Sequence, residues 1–238
     1  MSDFNIKEKK IGEIKEFNGE ISLKRDGGLM YYIDGMLLSS RKINRSDRYF
    51  NILKILKENN FSNCYGEMYI EGGKVFDVMR KENWGKAKFM PIDLINDGKS
   101  MTHTLRYEER QKILNEKVKE LNNNFITEKI IFSNIPDGWS YVLENEEEGL
   151  ILKNDYEWYK IKVLFEAKVK ITDWEEGKAK GTFILENGNR ISGTSKGYVE
   201  IFLQALKDDK EVIAEVEYPC LTDNGKYFQP RLRQVVVK

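Results

Sequence analysis

Short strand-like runs recur along the whole chain, and only one stretch sustains a long helical stripe. Strand-like runs at 20–25, 30–34, 36–40, 64–70 and 87–95 predict strands. Asp34-Gly35 sits between two of these runs and reads as a hairpin turn. Leu105, Ile113, Leu114, Val118 and Leu121 fall on one stripe, predicting a helix over 106–121. Ser46 opens a shorter helical pattern carried by Tyr49, Phe50, Leu53 and Leu56. Further strands are expected at 127–132, 139–143, 149–152 and 158–163. Many short strands with few helices make an α+β chain of mostly antiparallel sheets.

The pattern tightens after residue 163. Strands are expected at 165–172, 181–185, 190–192, 212–218 and 227–237. Turns at Glu186-Asn187-Gly188-Asn189 and Thr222-Asp223-Asn224-Gly225 separate them, and Val199, Phe202, Leu203 and Leu206 mark one short helix. Five strands with a helix before the fourth fit an OB-fold β-barrel, with an SH3-like barrel as the other reading of the same pattern. The expected domains are therefore 1–163 and 164–238.

Composition narrows the chemistry. Among 238 residues there is one histidine, His103, and two cysteines, Cys64 and Cys220. A Cys/His zinc site and a disulfide framework are excluded, and catalysis must come from Lys, Arg, Asp, Glu and aromatic side chains. No run of eighteen apolar residues exists, so no membrane span is expected, and the cysteine usage suits a cytoplasmic, reducing setting. The 39 basic and 39 acidic residues cancel, so any nucleic-acid surface must come from sorting charge onto faces.

Lys24-Arg25-Asp26-Gly27 places a lysine at a predicted strand end, beside a cation and a carboxylate. Burial and nearby positive charge lower a lysine pKa and make it nucleophilic, which is the state expected of Lys24. Downstream come Ser40-Arg41, Tyr65-Gly66-Glu67-Met68, Phe89-Met90-Pro91-Ile92-Asp93-Leu94, Glu148-Gly149-Leu150-Ile151-Leu152-Lys153 and Trp158-Tyr159-Lys160-Ile161-Lys162. Lys160 and Lys162, two apart on a strand, project to one face.

This ordered set resembles the covalent nucleotidyltransferase superfamily of ATP-dependent DNA ligases, RNA ligases and capping enzymes. The resemblance implies a nucleotidyltransferase (adenylation) domain of antiparallel sheets and helices, followed by a C-terminal OB-fold barrel. It implies that Lys24 is the catalytic nucleophile that takes AMP from ATP as a lysyl adduct. Arg41, Lys160 and Lys162 would hold phosphate oxygens, and Phe89 would stack on adenine. Glu67 and Glu148 would fix Mg²⁺ or the ribose hydroxyls. The implied partner is nicked duplex DNA, sealed by a monomer of the minimal two-domain type. Lys168, Lys170, Lys178, Lys180 and Lys196 are candidate phosphate contacts, and Arg233 or Lys238 is expected to orient pyrophosphate. With 23 residues ahead of Lys24 there is no room for the extra domain that grips nicotinamide mononucleotide, so ATP is the expected donor. An RNA ligase on the same core is the alternative. Two positions depart from the DNA ligase pattern. Ser22 stands two before the lysine where glutamate is common, and Leu29 stands where arginine follows the glycine.

Overall fold

The computed structural model describes residues 6–96, 104–177, 181–222 and 224–238. Two compact units divide at Lys162/Val163.

The first unit contains two sheets. Its strands are β1 (Lys7–Lys9), β2 (Glu20–Lys24), β3 (Gly28–Ile33), β4 (Met36–Ser39), β5 (Cys64–Tyr69), β6 (Lys88–Leu94), β7 (Ile131–Phe132), β8 (Gly149–Lys153) and β9 (Trp158–Lys162). Its helices are α1 (Phe50–Glu58), α2 (Val75–Met79), α3 (Tyr107–Leu121) and α4 (Ile135–Glu144), with a 3₁₀ turn at Lys81–Lys86. One sheet runs β1-β9-β8-β2-β7 and the other β4-β3-β5-β6. Asp34 and Gly35 both have positive φ, at 48° and 74°, so the hairpin turn forms where the Asp-Gly pair places it.

Each sheet buries one face under helices. Ile52, Leu53 and Leu56 of α1 pack with Leu114 and Val118 of α3 against Met30, Tyr32, Cys64, Met68 and Phe89. On the other sheet, Ile21, Leu23, Leu150, Leu152 and Ile161 are almost fully buried. There α4 packs against β2 and β8. The remaining face of each sheet is free to carry polar side chains.

Helix α4 corrects the strand expected at 139–143. Trp139, Tyr141 and Leu143 alternate as strand residues do, but the buried residues are Ile135, Gly138 and Val142, at helical spacing. The Asn134 side chain accepts from the Asp137 N–H at 2.8 Å, and Pro136 occupies the first turn, where its missing donor costs nothing. Two further details differ from expectation. Phe50 is 64 % exposed and lies off the buried stripe of α1. Only Ile131–Phe132 of the 127–132 run forms a strand.

The second unit holds β10 (Phe165–Glu175), β11 (Gly181–Leu185), β12 (Arg190–Thr194), α5 (Lys196–Lys207), β13 (Val212–Tyr218) and β14 (Arg231–Val237). Its strand order is β12-β11-β10-β13-β14. The first half of β10 pairs with β13 and the second half with β11, across an irregularity between Ile171 and Asp173. One strand shared by two pairings bends the sheet around its own core, where Phe183, Phe202 and Val216 are nearly inaccessible. Five strands with α5 before the fourth make the OB arrangement that the sequence pattern predicts.

Candidate active site

The functional face of the first unit follows from strand register. Glu20, Ser22 and Lys24 alternate along β2 and so share a face. Pairing sets Lys24 opposite Gly149 and then Lys162, Ser22 opposite Ile151 and then Lys160, and Glu20 opposite Lys153 and then Trp158. Three rows result, about 7 Å apart for each two-residue step. Every side chain in those rows lines a single cleft of about 330 Å³. Leu29, Glu67 and Met90 form the facing wall, in register across β3, β5 and β6, and Ile92 lines the cleft beside them. Lys24 and Lys162 thus lie at one end of the cleft, with Lys160 in the next row.

Lys24, Glu148 and Lys162 form a chain of charge at that end. Glu148 accepts from Lys24 through one carboxylate oxygen and from Lys162 through the other, the latter at 2.5 Å. Burial works to raise the Glu148 pKa, but Lys24 and Lys162 outweigh it and hold the carboxyl below its ordinary value. Lys24 runs against the sequence expectation. Burial lowers its pKa, yet Glu148, Glu67 and Asp26 more than compensate, so the amine is held above its ordinary value and stays protonated. The sequence shows the neighbouring Arg25; it does not show that Arg25 turns away to pair with Glu147 and cover the Tyr69 ring at 4.9 Å.

Glu67 is the opposite case. It lines the cleft, and no hydrogen bond reaches its carboxylate among the described residues. Burial pushes its pKa up to about 7, with Glu148 and Asp26 adding to the rise and Lys24 opposing it. A carboxylate in this state fits a divalent cation, since Mg²⁺ takes one or two protein carboxylates and completes its shell with phosphates and water. A dedicated cage is not present: among the described residues no group of three or more His, Cys, Asp or Glu side chains is placed to hold a metal.

Two glycines set these positions. A Cβ on Gly27 would lie 2.3 Å from the Met68 carbonyl oxygen and 2.9 Å from Glu67 Cγ, so only glycine lets the chain pass from β2 to β3 beside Glu67. A Cβ on Gly149 would lie 2.0 Å from the Ile161 carbonyl oxygen, which keeps that position of the first row bare. Asp26 accepts from the Val75 N–H at 3.1 Å and ties the Lys24 turn to α2.

Two predicted ligands lie elsewhere. Phe89 is fully buried in the helix-covered core, and its ring packs where a Cβ on Gly66 would be. Alternation explains the correction: Phe89 pairs with Met68 on the core face, so Met90 and Ile92 are the β6 residues that meet the cleft. Arg41 sits exposed on the turn after β4 and does not line the cleft. Lys160 does line it, paired with Glu8 of β1 at 3.1 Å. In the second unit Lys168 and Lys170 pair with Glu215 and Glu211, at 2.7 and 3.0 Å, and Arg233 pairs with Glu217. Lys196 opens α5 and is exposed, and the Lys238 N–H donates to the Glu211 carbonyl. His103, Lys178 and Lys180 lie outside the described residues.

Sequence reasoning missed the closed end of the cleft. Lys153 donates to Asp93 at 2.7 Å and to the Tyr65 hydroxyl at 2.6 Å, while Arg110 donates to the same Asp93 at 2.9 and 3.1 Å. Beside them Lys129 is bonded to Glu20 and Gln111, and Tyr107 donates to Glu20 at 2.9 Å. Glu20, Tyr107 and Gln111 also line a second cleft, of about 450 Å³, that holds none of Lys24, Lys160 and Lys162. The usable signal was the alternation of Glu20 with Ser22 and Lys24.

No family model matches the chain, and no curated protein matches it. Solved structures do. A Lig E DNA ligase, studied for DNA binding with a minimal scaffold, is 16 % identical, with 97 % of each chain covered and a TM-score of 0.71. The ligase domain of Mycobacterium tuberculosis LigD is 17 % identical, covering 97 % of this chain and 94 % of that one, at a TM-score of 0.57. Chlorella virus DNA ligase-adenylate is 15 % identical, over 97 % of this chain and 98 % of that one, at 0.50. The chain has the fold of these DNA ligases, a nucleotidyltransferase domain of sheets and helices joined to an OB domain.

Proposed function

We propose that the chain is an ATP-dependent DNA ligase that seals nicks in duplex DNA through a lysyl-AMP intermediate, acting as a cytoplasmic monomer of domains 1–163 and 164–238. The observation that carries this reading is Lys24 at the end of a cleft, bridged through Glu148 to Lys162, with Glu67 opposite. The DNA ligase fold supports it.

Phosphoryl-type transfer asks a protein mainly for positioning and charge neutralisation. Lys24 Nζ attacks the α-phosphorus of ATP, the bond to the bridging oxygen breaks, and pyrophosphate leaves with that electron pair. Lys162 and Lys160 hold phosphate oxygens on the face that Lys24 shares. Lys24 must first lose a proton, and Glu148 and Glu67 oppose that loss. A bound Mg²⁺ would supply positive charge beside these carboxylates, compete with the amine for them and lower its pKa. AMP then passes to the 5′-phosphate of the break, and the adjacent 3′-hydroxyl displaces it to restore the phosphodiester.

The test is incubation with α-labelled ATP and Mg²⁺, followed by nicked DNA. The expected result is an acid-labile adduct, absent from Lys24→Ala, that is consumed as the nick closes. A labelled protein that seals only nicked RNA would turn the reading to an RNA ligase. No adduct at all would refute it.

A further inference from the structure

We infer that Glu20, at the closed end of the cleft, reads the nucleobase by accepting a hydrogen bond from the 6-amino group of adenine. The inference rests on the proposed nucleotide site and assigns its base end.

Row spacing sets the orientation. Glu20 lies four residues before Lys24 on the same strand face, about 13 Å along β2. A nucleotide whose α-phosphate meets Lys24 therefore directs its base toward the row of Glu20, Lys153 and Trp158. Ser22, the position between, is small and leaves the way open.

The hydrogen-bond inventory then sets the preference. Tyr107 spends its one hydroxyl hydrogen on Glu20 Oε1. Lys129 directs its donors to both Glu20 oxygens and to Gln111. Glu20 Oε2 accepts from Lys129 alone, at 2.6 Å, and a carboxylate oxygen has room for a second donor. Buried to 89 %, the Glu20 side chain is fixed in position by Lys129, itself 2 % exposed, so it offers the cleft an acceptor in a defined place. Adenine matches this acceptor with its amine at C6. A base with a carbonyl at C6 puts an acceptor against the Glu20 carboxylate and is repelled.

Equilibrium binding to the Lys24→Ala protein tests the assignment without requiring an adduct. ATP is expected to bind at least about tenfold tighter than inosine triphosphate, the scale of one hydrogen bond to a charged group. Glu20→Gln, whose amide can turn a donor to the carbonyl, should shrink that ratio to near one. If Glu20→Gln fails to fold because Lys129 loses its counter-charge, Glu20→Gln/Lys129→Met keeps the site neutral and should show the same loss of preference. Equal binding of the two nucleotides to the Lys24→Ala protein overturns the inference, as does a ratio that survives in the folded variants. Discrimination without adduct formation by the unsubstituted protein would uphold the base contact and break the ligase reading.

Discussion

Two triads, each of two cations around one carboxylate, stand in the first unit, and they differ in how completely they are bonded. In one, Lys24 and Lys162 flank Glu148; in the other, Lys153 and Arg110 flank Asp93. Both carboxyls have pKa values held below the ordinary range by two cations against the pull of burial. The difference lies in completion. Asp93 also accepts from the Leu94 N–H at 2.9 Å, and the Tyr65 hydroxyl accepts from Lys153, so that polar set is closed. Around Glu148 the set is open, with Glu67 opposite carrying no hydrogen bond among the described residues. A saturated buried triad fixes structure; an unsaturated one facing a cleft keeps affinity for a ligand.

The sharpest break of this comparison is to neutralise each carboxylate. Asp93→Ala should cost about 3–5 kcal/mol of unfolding free energy, because it strands two cations that are largely buried. Glu148→Ala should cost less than Asp93→Ala in denaturant titration, because the two lysines it strands border the cleft and can be rehydrated, while abolishing the AMP adduct. Equal stability losses would erase the distinction. Phe89→Ala should lose about 3–5 kcal/mol, as a large core truncation does, with little change in ATP affinity among molecules that remain folded. A selective affinity loss would return Phe89 to the nucleotide.

Glu67→Gln probes the open set through pH. A carboxyl whose pKa rises on folding, here to about 7, destabilises the folded state once it ionises. The Gln variant should therefore be more stable by about 1–3 kcal/mol at pH 8, with the gain fading toward pH 4.5. Thermal melts across that range check the sign, and a gain that grows on acidification contradicts it. Arg41→Ala, on an exposed turn, should change stability by no more than about 0.5 kcal/mol and leave adduct formation within about twofold.

What the sequence disclosed tracks what depends on local order. Strands β2, β5, β6, β8 and β9 were legible as short strand-like runs, and the alternation of faces along paired strands puts Lys24, Lys160 and Lys162 on one face. Phe89 was misassigned by one step of the same alternation, since nothing in the string says which face of β6 meets the cleft. Helix α4 was read as a strand because its aromatics alternate, although Asn134 and Pro136 carried the start signal. The charge state of Lys24 was not legible at all: it depends on Glu148, 124 residues away, and on Arg25 turning aside.

Gly27 sets the position of Lys24 by leaving space vacant. Even a single methyl there would press on the Met68 carbonyl and the Glu67 stem, pushing apart the two strands that carry the amine and the carboxylate facing it. The gap between Lys24 and Glu67 is thereby gauged by hydrogen alone, and an alanine at this position would act as a shim, widening it without removing any charged group.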